Sequence, residues 1–156
     1  MGYSVFPAPA SGSKTRYITT LTSGTSWTVP AGVTYVNVLL VGGGASAGGT
    51  QGTNYWTGTR AQPGQTIRSI VETTPGSSIS YSIGAGGGGN PIYSGTGGNA
   101  GGTTTFTGAA SAAGGTVMAG AGTMSFANNG AVYTSGGYYD SAPAGGNGWI
   151  EIEYWV

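Results

Sequence analysis

The stretch Tyr35-Val36-Asn37-Val38-Leu39-Leu40-Val41-Gly42-Gly43-Gly44 joins the two kinds of sequence from which the chain is built. Its first seven residues are almost continuously apolar and β-prone, which predicts a central strand buried on both faces. Val36, Val38 and Leu40 lie on one face, Leu39 and Val41 on the other. The three glycines that follow cannot continue it as a packed strand, since they have no side chains to bury and lose the most conformational freedom on ordering.

Working outward, the same strand signals recur. Residues 15–21 and 25–29 read as strands around Thr22-Ser23-Gly24, and Pro30 with Gly32 forces a turn before the central strand. Residues 66–73 and 78–83 form a second pair around Thr74-Pro75-Gly76, with Ile79, Tyr81 and Ile83 alternating against Ser78, Ser80 and Ser82. Residues 149–155 place Ile150, Ile152 and Tyr154 on one face and Glu151 and Glu153 on the other, a half-buried antiparallel pattern. Shorter strands are expected at 103–107, 115–118, 123–127 and 131–134, the last two joined through Asn128-Asn129-Gly130.

Glycine fills the spaces between. The chain has 34 Gly and 7 Pro in 156 residues, which argues against helices, and 29 of the glycines lie between Gly42 and Gly146. Two physical outcomes are open for such tracts: mobile loops, or backbones packed closely enough to hydrogen-bond as polyproline II strands. The glycines do not recur at every third position, so a collagen helix is excluded. The expected fold is therefore all-β: one jelly-roll-like antiparallel β-sandwich with long glycine-rich loops over residues 15–156. It is preceded by an extended arm, residues 1–14, in which Tyr3, Val5 and Phe6 are candidates for docking to a neighbouring subunit.

Charge narrows the function classes. Lys14, Arg16, Arg60 and Arg68 balance Glu72, Asp140, Glu151 and Glu153, so charged residues make 5% of the chain, against about 25% in an ordinary domain. Four scattered cations cannot form the phosphate-neutralising footprint of a nucleic-acid binder. No apolar run approaches the roughly 20 residues that a membrane-spanning helix needs, so no membrane insertion is expected. With no Cys and no His there is no thiolate, imidazole base or ordinary zinc site, and no cofactor is expected.

The remaining chemical motifs are thin. Gly84, Gly86 and Gly89 have dinucleotide-loop spacing, but Asn90-Pro91 stands where the phosphate-binding helix should begin. Glu151 and Glu153 could form a carboxylate pair for glycoside hydrolysis, although outward placement on one strand describes a solvated face more simply. Lys14 is the only amine for a Ser-Lys dyad, and Asp140 the only carboxylate for a calcium loop in the glycine-rich region. Catalytic residues and enzyme activity are accordingly not expected. Tyr55, Trp56, Tyr93, Tyr138 and Tyr139 carry more information: they sit in polar, glycine-rich segments without a periodic core face, as rigid rings in binding loops do. Arg60 and Asp140 could add polar specificity beside them.

A resemblance rests on an ordered series of strings. These are Thr25-Ser26-Trp27-Thr28-Val29-Pro30-Ala31-Gly32-Val33-Thr34, Val36-Asn37-Val38, Val41-Gly42-Gly43-Gly44 and Pro63-Gly64-Gln65. They continue with Thr74-Pro75-Gly76, Tyr81-Ser82-Ile83-Gly84-Ala85-Gly86-Gly87, Gly101-Gly102-Thr103-Thr104-Thr105-Phe106 and Gly146-Asn147-Gly148-Trp149-Ile150. In this order they resemble the glycine-rich domain of bacteriophage tail fibres and related virion proteins. The resemblance implies a non-enzymatic virion component in multiple copies, most simply a tail-fibre or tail-tip part. Such a part would contact a bacterial surface polysaccharide or outer-membrane protein through its loops and aromatics. The alternative is a capsid or tail decoration protein that binds only virion partners, itself included.

Overall fold

A computed structural model of the protein describes residues 12, 14–51, 56–89, 98–119 and 144–156. Among these residues ten strands form: β1 Arg16–Leu21, β2 Ser26–Thr28, β3 Tyr35–Val41, β4 Gly48–Gln51, β5 Trp56–Ala61, β6 Thr66–Glu72, β7 Ser78–Ser82, β8 Thr105–Phe106, β9 Val117–Ala119 and β10 Trp149–Trp155. They form a first sheet of order β1-β10-β3-β6, a second of order β2-β7-β8 and a third of order β4-β5-β9. All pairings are antiparallel.

The all-β expectation holds, and β3 is a central strand with β10 and β6 on either side. Its burial is one-sided over most of its length. Val36, Val38 and Leu40 are buried, whereas Asn37 and Leu39 remain half-buried on the outer face. The strand runs that look like pairs in the sequence do not pair: β1 and β6 belong to the first sheet, β2 and β7 to the second. The chain turns a corner between sheets at each place. At one corner Gly24, with φ +95°, lies against the Tyr81 hydroxyl, which donates to the Ser23 carbonyl at 2.7 Å.

The first and second sheets bury one core between them. Val36, Val38, Leu40, Val71, Ile150 and Ile152 come from the first, Ile79, Tyr81 and Phe106 from the second, and Val29, Val33 and Ala112 close the cluster. Trp27 fills one side, its ring 6.4 Å from Phe106 and 5.8 Å from Tyr154. Area burial of this kind contributes about 1.5–3 kcal/mol per large side chain. Neither sheet curls or closes among the described residues: β1 and β6 remain edges of the first, β2 and β8 of the second.

The described glycine tracts are packed backbones. Along 42–46 the donors take partners in rotation: Gly42 to Gln65, Gly43 to Gly102, Gly44 to Gly146, then Ala45 to Gln62 and Ser46 to Asn99, at 2.8–3.0 Å. The first and fourth donors reach one neighbour and the second and fifth another. That is the three-residue turn of polyproline II and not the two-residue alternation of a strand. Carbonyls of the same stretch accept from Gly87 and Gly115 at 2.8 and 2.7 Å.

Stretch 42–47 is therefore the axis of a bundle. Around it lie 62–65, 113–116, 98–103, 84–89 and 144–148, each hydrogen-bonded to the next in that order. Three stretches lead away from the first two sheets and three return, because β3, β7 and the Thr104–Ala112 bridge precede the outgoing ones and β6, β8 and β10 follow the others. At the closest approaches the spacing excludes any side chain. A Cβ built on Gly43 would lie inside the carbonyl of Ala85, and one on Gly101 inside that of Gly43.

The third sheet continues this bundle at the end remote from the core. Its β4 and β5 run where the sequence reads as loop, since glycine and threonine give no apolar alternation there. The strands expected at 123–127 and 131–134 lie outside the described residues.

Candidate functional site

Period two along the first sheet sends one residue in two to an outer face that no other described element covers. In register, Ile18, Glu153, Asn37 and Ile70 form one row, and Thr20, Glu151, Leu39 and Arg68 the next. Arg16, Trp155, Tyr35 and Glu72 lie beyond them on the same face. Five of the chain's eight charged residues are thus collected on one sheet face. A shallow depression of about 280 Å³ is lined there by Asn37, Leu39, Arg68, Ile70, Glu151 and Glu153.

The acidic pair sits in this depression, and its two members are not equivalent. Asn37 Nδ2 donates to one Glu153 oxygen at 3.2 Å and Arg16 Nε donates to the other. The Asn37 hydrogen bond, with that of Arg16 next in weight, holds the Glu153 carboxyl below the usual carboxylate range. A general acid for glycoside cleavage needs the opposite displacement. In this geometry Glu153 instead fastens β1 to β10 and β3.

The sign of its effect on stability follows. A carboxylate whose value is lowered in the folded state stabilises the fold fully above its unfolded value of about 4.3, and that contribution disappears as pH falls through the lowered value. Urea midpoints measured across this acid range should fall more steeply for the natural chain than for Glu153→Gln. Parallel curves would remove the assignment.

The other sequence-nominated groups are placed as follows. Trp56 opens β5 opposite Gln51, and Arg60 lies in the same strand opposite Met118. Tyr55, Tyr93, Tyr138, Tyr139 and Asp140 fall outside the described residues, as do Tyr3, Val5 and Phe6 of the arm. Lys14 is exposed ahead of β1. No cluster of three or more acidic groups able to hold a metal exists among the described residues. No helix among them is long and apolar enough to cross a membrane.

Gly84 and Gly86 do not cradle phosphate. The Gly84 N–H donates to Thr104 Oγ1 at 3.0 Å, that of Gly86 to Asn147 Oδ1 at 2.8 Å and that of Gly87 to the Gly44 carbonyl. These amides hold the bundle together instead.

Two buried hydroxyls carry no signal in the sequence. Thr104, fully buried, accepts from Gly84 and donates to the Val41 carbonyl at 2.7 Å, tying the end of β3 to the bundle. Ser46, also fully buried, donates to the Gly88 carbonyl at 2.7 Å and accepts from the Asn99 N–H at 2.9 Å. Both residues look like ordinary members of polar tracts, and only their packing gives them a role.

A family model described as a glycine-rich domain matches residues 19–152. The chain belongs to the glycine-rich domain family. The matched span starts in β1 and ends in β10 on residues that face each other in register, Thr19 and Ile152, and so takes in both core sheets and the whole bundle of this glycine-rich domain. No curated protein matches the chain.

Proposed function

We propose that this glycine-rich domain is a non-enzymatic component of a bacteriophage particle, most simply of a tail fibre or tail tip. In this reading it is joined to other virion proteins at one end and touches a bacterial surface polysaccharide or outer-membrane protein at the other. Its two packed sheets would be the base of a jelly-roll-like sandwich, and the bundle a rigid spacer.

One observation carries the reading, the polarity of the bundle. Thr15 and Val156 exchange backbone hydrogen bonds at 2.9 and 3.0 Å beside the first sheet. The chain leaves the described residues at 51, 89 and 119 and re-enters them at 56, 98 and 144, all at or beyond the opposite end of the bundle. Tyr55, Tyr93, Tyr138 and Tyr139 belong to those intervals and Trp56 borders one of them. Many copies on a particle would turn weak single contacts into firm attachment.

Fluorescently labelled protein, presented as multivalent beads to a panel of bacterial strains, tests the proposal. Binding to a subset of strains is expected, with loss when Tyr55, Trp56, Tyr93, Tyr138 and Tyr139 are replaced together by alanine and the melting temperature is kept. Strain-selective binding that survives these replacements, or none at all, defeats the contact role. The outer face of the first sheet, which no other described element covers and beside which Thr15 and Val156 lie, favours a second reading: decoration or assembly through virion partners alone.

A further inference from the structure

We propose that β6 is the seam of a homodimer, in which two copies pair this strand antiparallel about a twofold axis at Ile70 and extend the four-stranded sheet into one of eight strands. This goes beyond the proposed function and does not depend on it.

The strand lies at the edge of the first sheet, paired with β3 over seven consecutive residues from Tyr35–Glu72 to Val41–Thr66. Among the described residues no backbone partner lies along its other side. Edge strands are ordinarily blunted by proline, a bulge, short length, a covering loop or charged side chains, lysine above all. β6 has neither proline nor glycine, its register is unbroken, and at seven residues it is as long as any strand here. One residue past its middle, Ile70 is 74% exposed, the most exposed large apolar side chain among the described residues.

Its charges are arranged to match a second copy. Arg68 and Glu72 flank Ile70 on the same face at equal distance along the strand. Antiparallel self-pairing centred on Ile70 therefore sets Arg68 of each copy opposite Glu72 of the other, twice, with Ile70 against Ile70. Cross-strand pairs of opposite charge are favourable, and each Ile70 takes apolar area of the other out of water. Tyr35 Oη lies 3.4 Å from Glu72 Oε1, which leaves the other carboxylate oxygen for Arg68 of the second copy. The opposite edge does not offer this match: self-pairing of β1 about Ile18 would set Arg16 against Thr20, and Arg16 is already held by Glu153.

Strand-to-strand pairing buries little area, so a concentration-dependent monomer–dimer equilibrium is expected. Sedimentation velocity over a concentration series measures it, with circular dichroism confirming that each variant is folded. Arg68→Glu alone and Glu72→Arg alone should each weaken dimerisation about tenfold or more, because two attractive pairs become repulsive. The double variant Arg68→Glu with Glu72→Arg should restore it, and Ile70→Lys should abolish it. A natural chain that stays monomeric at its highest soluble concentration overturns the proposal. So does a dimer indifferent to the single reversals, or a double variant as weak as either single one.

Discussion

Gly43→Ala lowers stability by about 3–6 kcal/mol. The new Cβ would overlap the carbonyl carbon and oxygen of Ala85 and lie 2.9 Å from the Gly84 oxygen. These are backbone atoms, so no side chain can rotate away, and stretch 84–89 has to leave the axis. Its departure strains the bonds Gly102 to Ala85 at 2.7 Å and Gly87 to Gly44 at 2.8 Å. Two such losses at about 1–1.5 kcal/mol each, added to an overpacking cost of about 1–3, give the figure.

Thermal melts should show a fall of about 10 °C or more. Gly88→Ala is the control, since the nearest atom to its Cβ is Asn99 Nδ2 at 3.9 Å, and it should stay within about 0.5 kcal/mol of the natural chain. Gly32→Ala separates crowding from backbone conformation: it has open space but φ +80°, and should cost only about 1–2 kcal/mol. Equal melting of the Gly43 and Gly88 variants would mean that the tracts are not packed as described.

Thr104→Val lowers stability by about 2–4 kcal/mol although it preserves shape. Thr104 Oγ1 is where the Val41 carbonyl and the Gly84 N–H meet, and the residue is 0% exposed. Valine leaves the Gly84 N–H without this partner, at about 1–3 kcal/mol, and removes one hydrogen bond from the Val41 carbonyl, at about 1 kcal/mol. Thr104→Ser keeps the hydroxyl and gives up a methyl, costing about 1 kcal/mol. Denaturant unfolding should therefore rank the natural chain above Ser and Ser above Val, with the Gly84 amide exchanging faster in the valine variant. Valine matching or exceeding serine would show that the hydroxyl does not hold this junction.

The strands were legible where side chains alternate. Ile79 and Tyr81 against serines, and Ile150 and Ile152 against glutamates, marked both the strands and their buried faces. Three of the Gly-containing turns were legible as well: Gly24, Gly32 and Gly76 have φ +95°, +80° and +78°. What stayed hidden was partnership. β1 pairs with β10 from the far end of the chain, and nothing in Arg16–Leu21 names that partner.

The bundle was legible only as an alternative to mobile loops, because a tract without side chains has no periodicity to read. Its three-residue rhythm exists in the direction of N–H groups, which sequence does not display. For the same reason Thr104 and Ser46 could not be told from their neighbours. The paired glutamates were correctly placed on one outward face, but the bonds of Glu153 to Asn37 and Arg16 depend on a sheet register that sequence does not disclose.

The rotation of donors along 42–46 imposes arithmetic on insertions and deletions. A β-strand that gains two residues returns its side chains to their former faces, whereas a thread in this bundle returns its amides to their former neighbours only after three. One residue gained or lost swings every later amide through a third of a revolution, toward a different thread. Length variation within these tracts is thus tolerated in triplets, a rule written in backbone geometry and indifferent to which small residues fill the added turn.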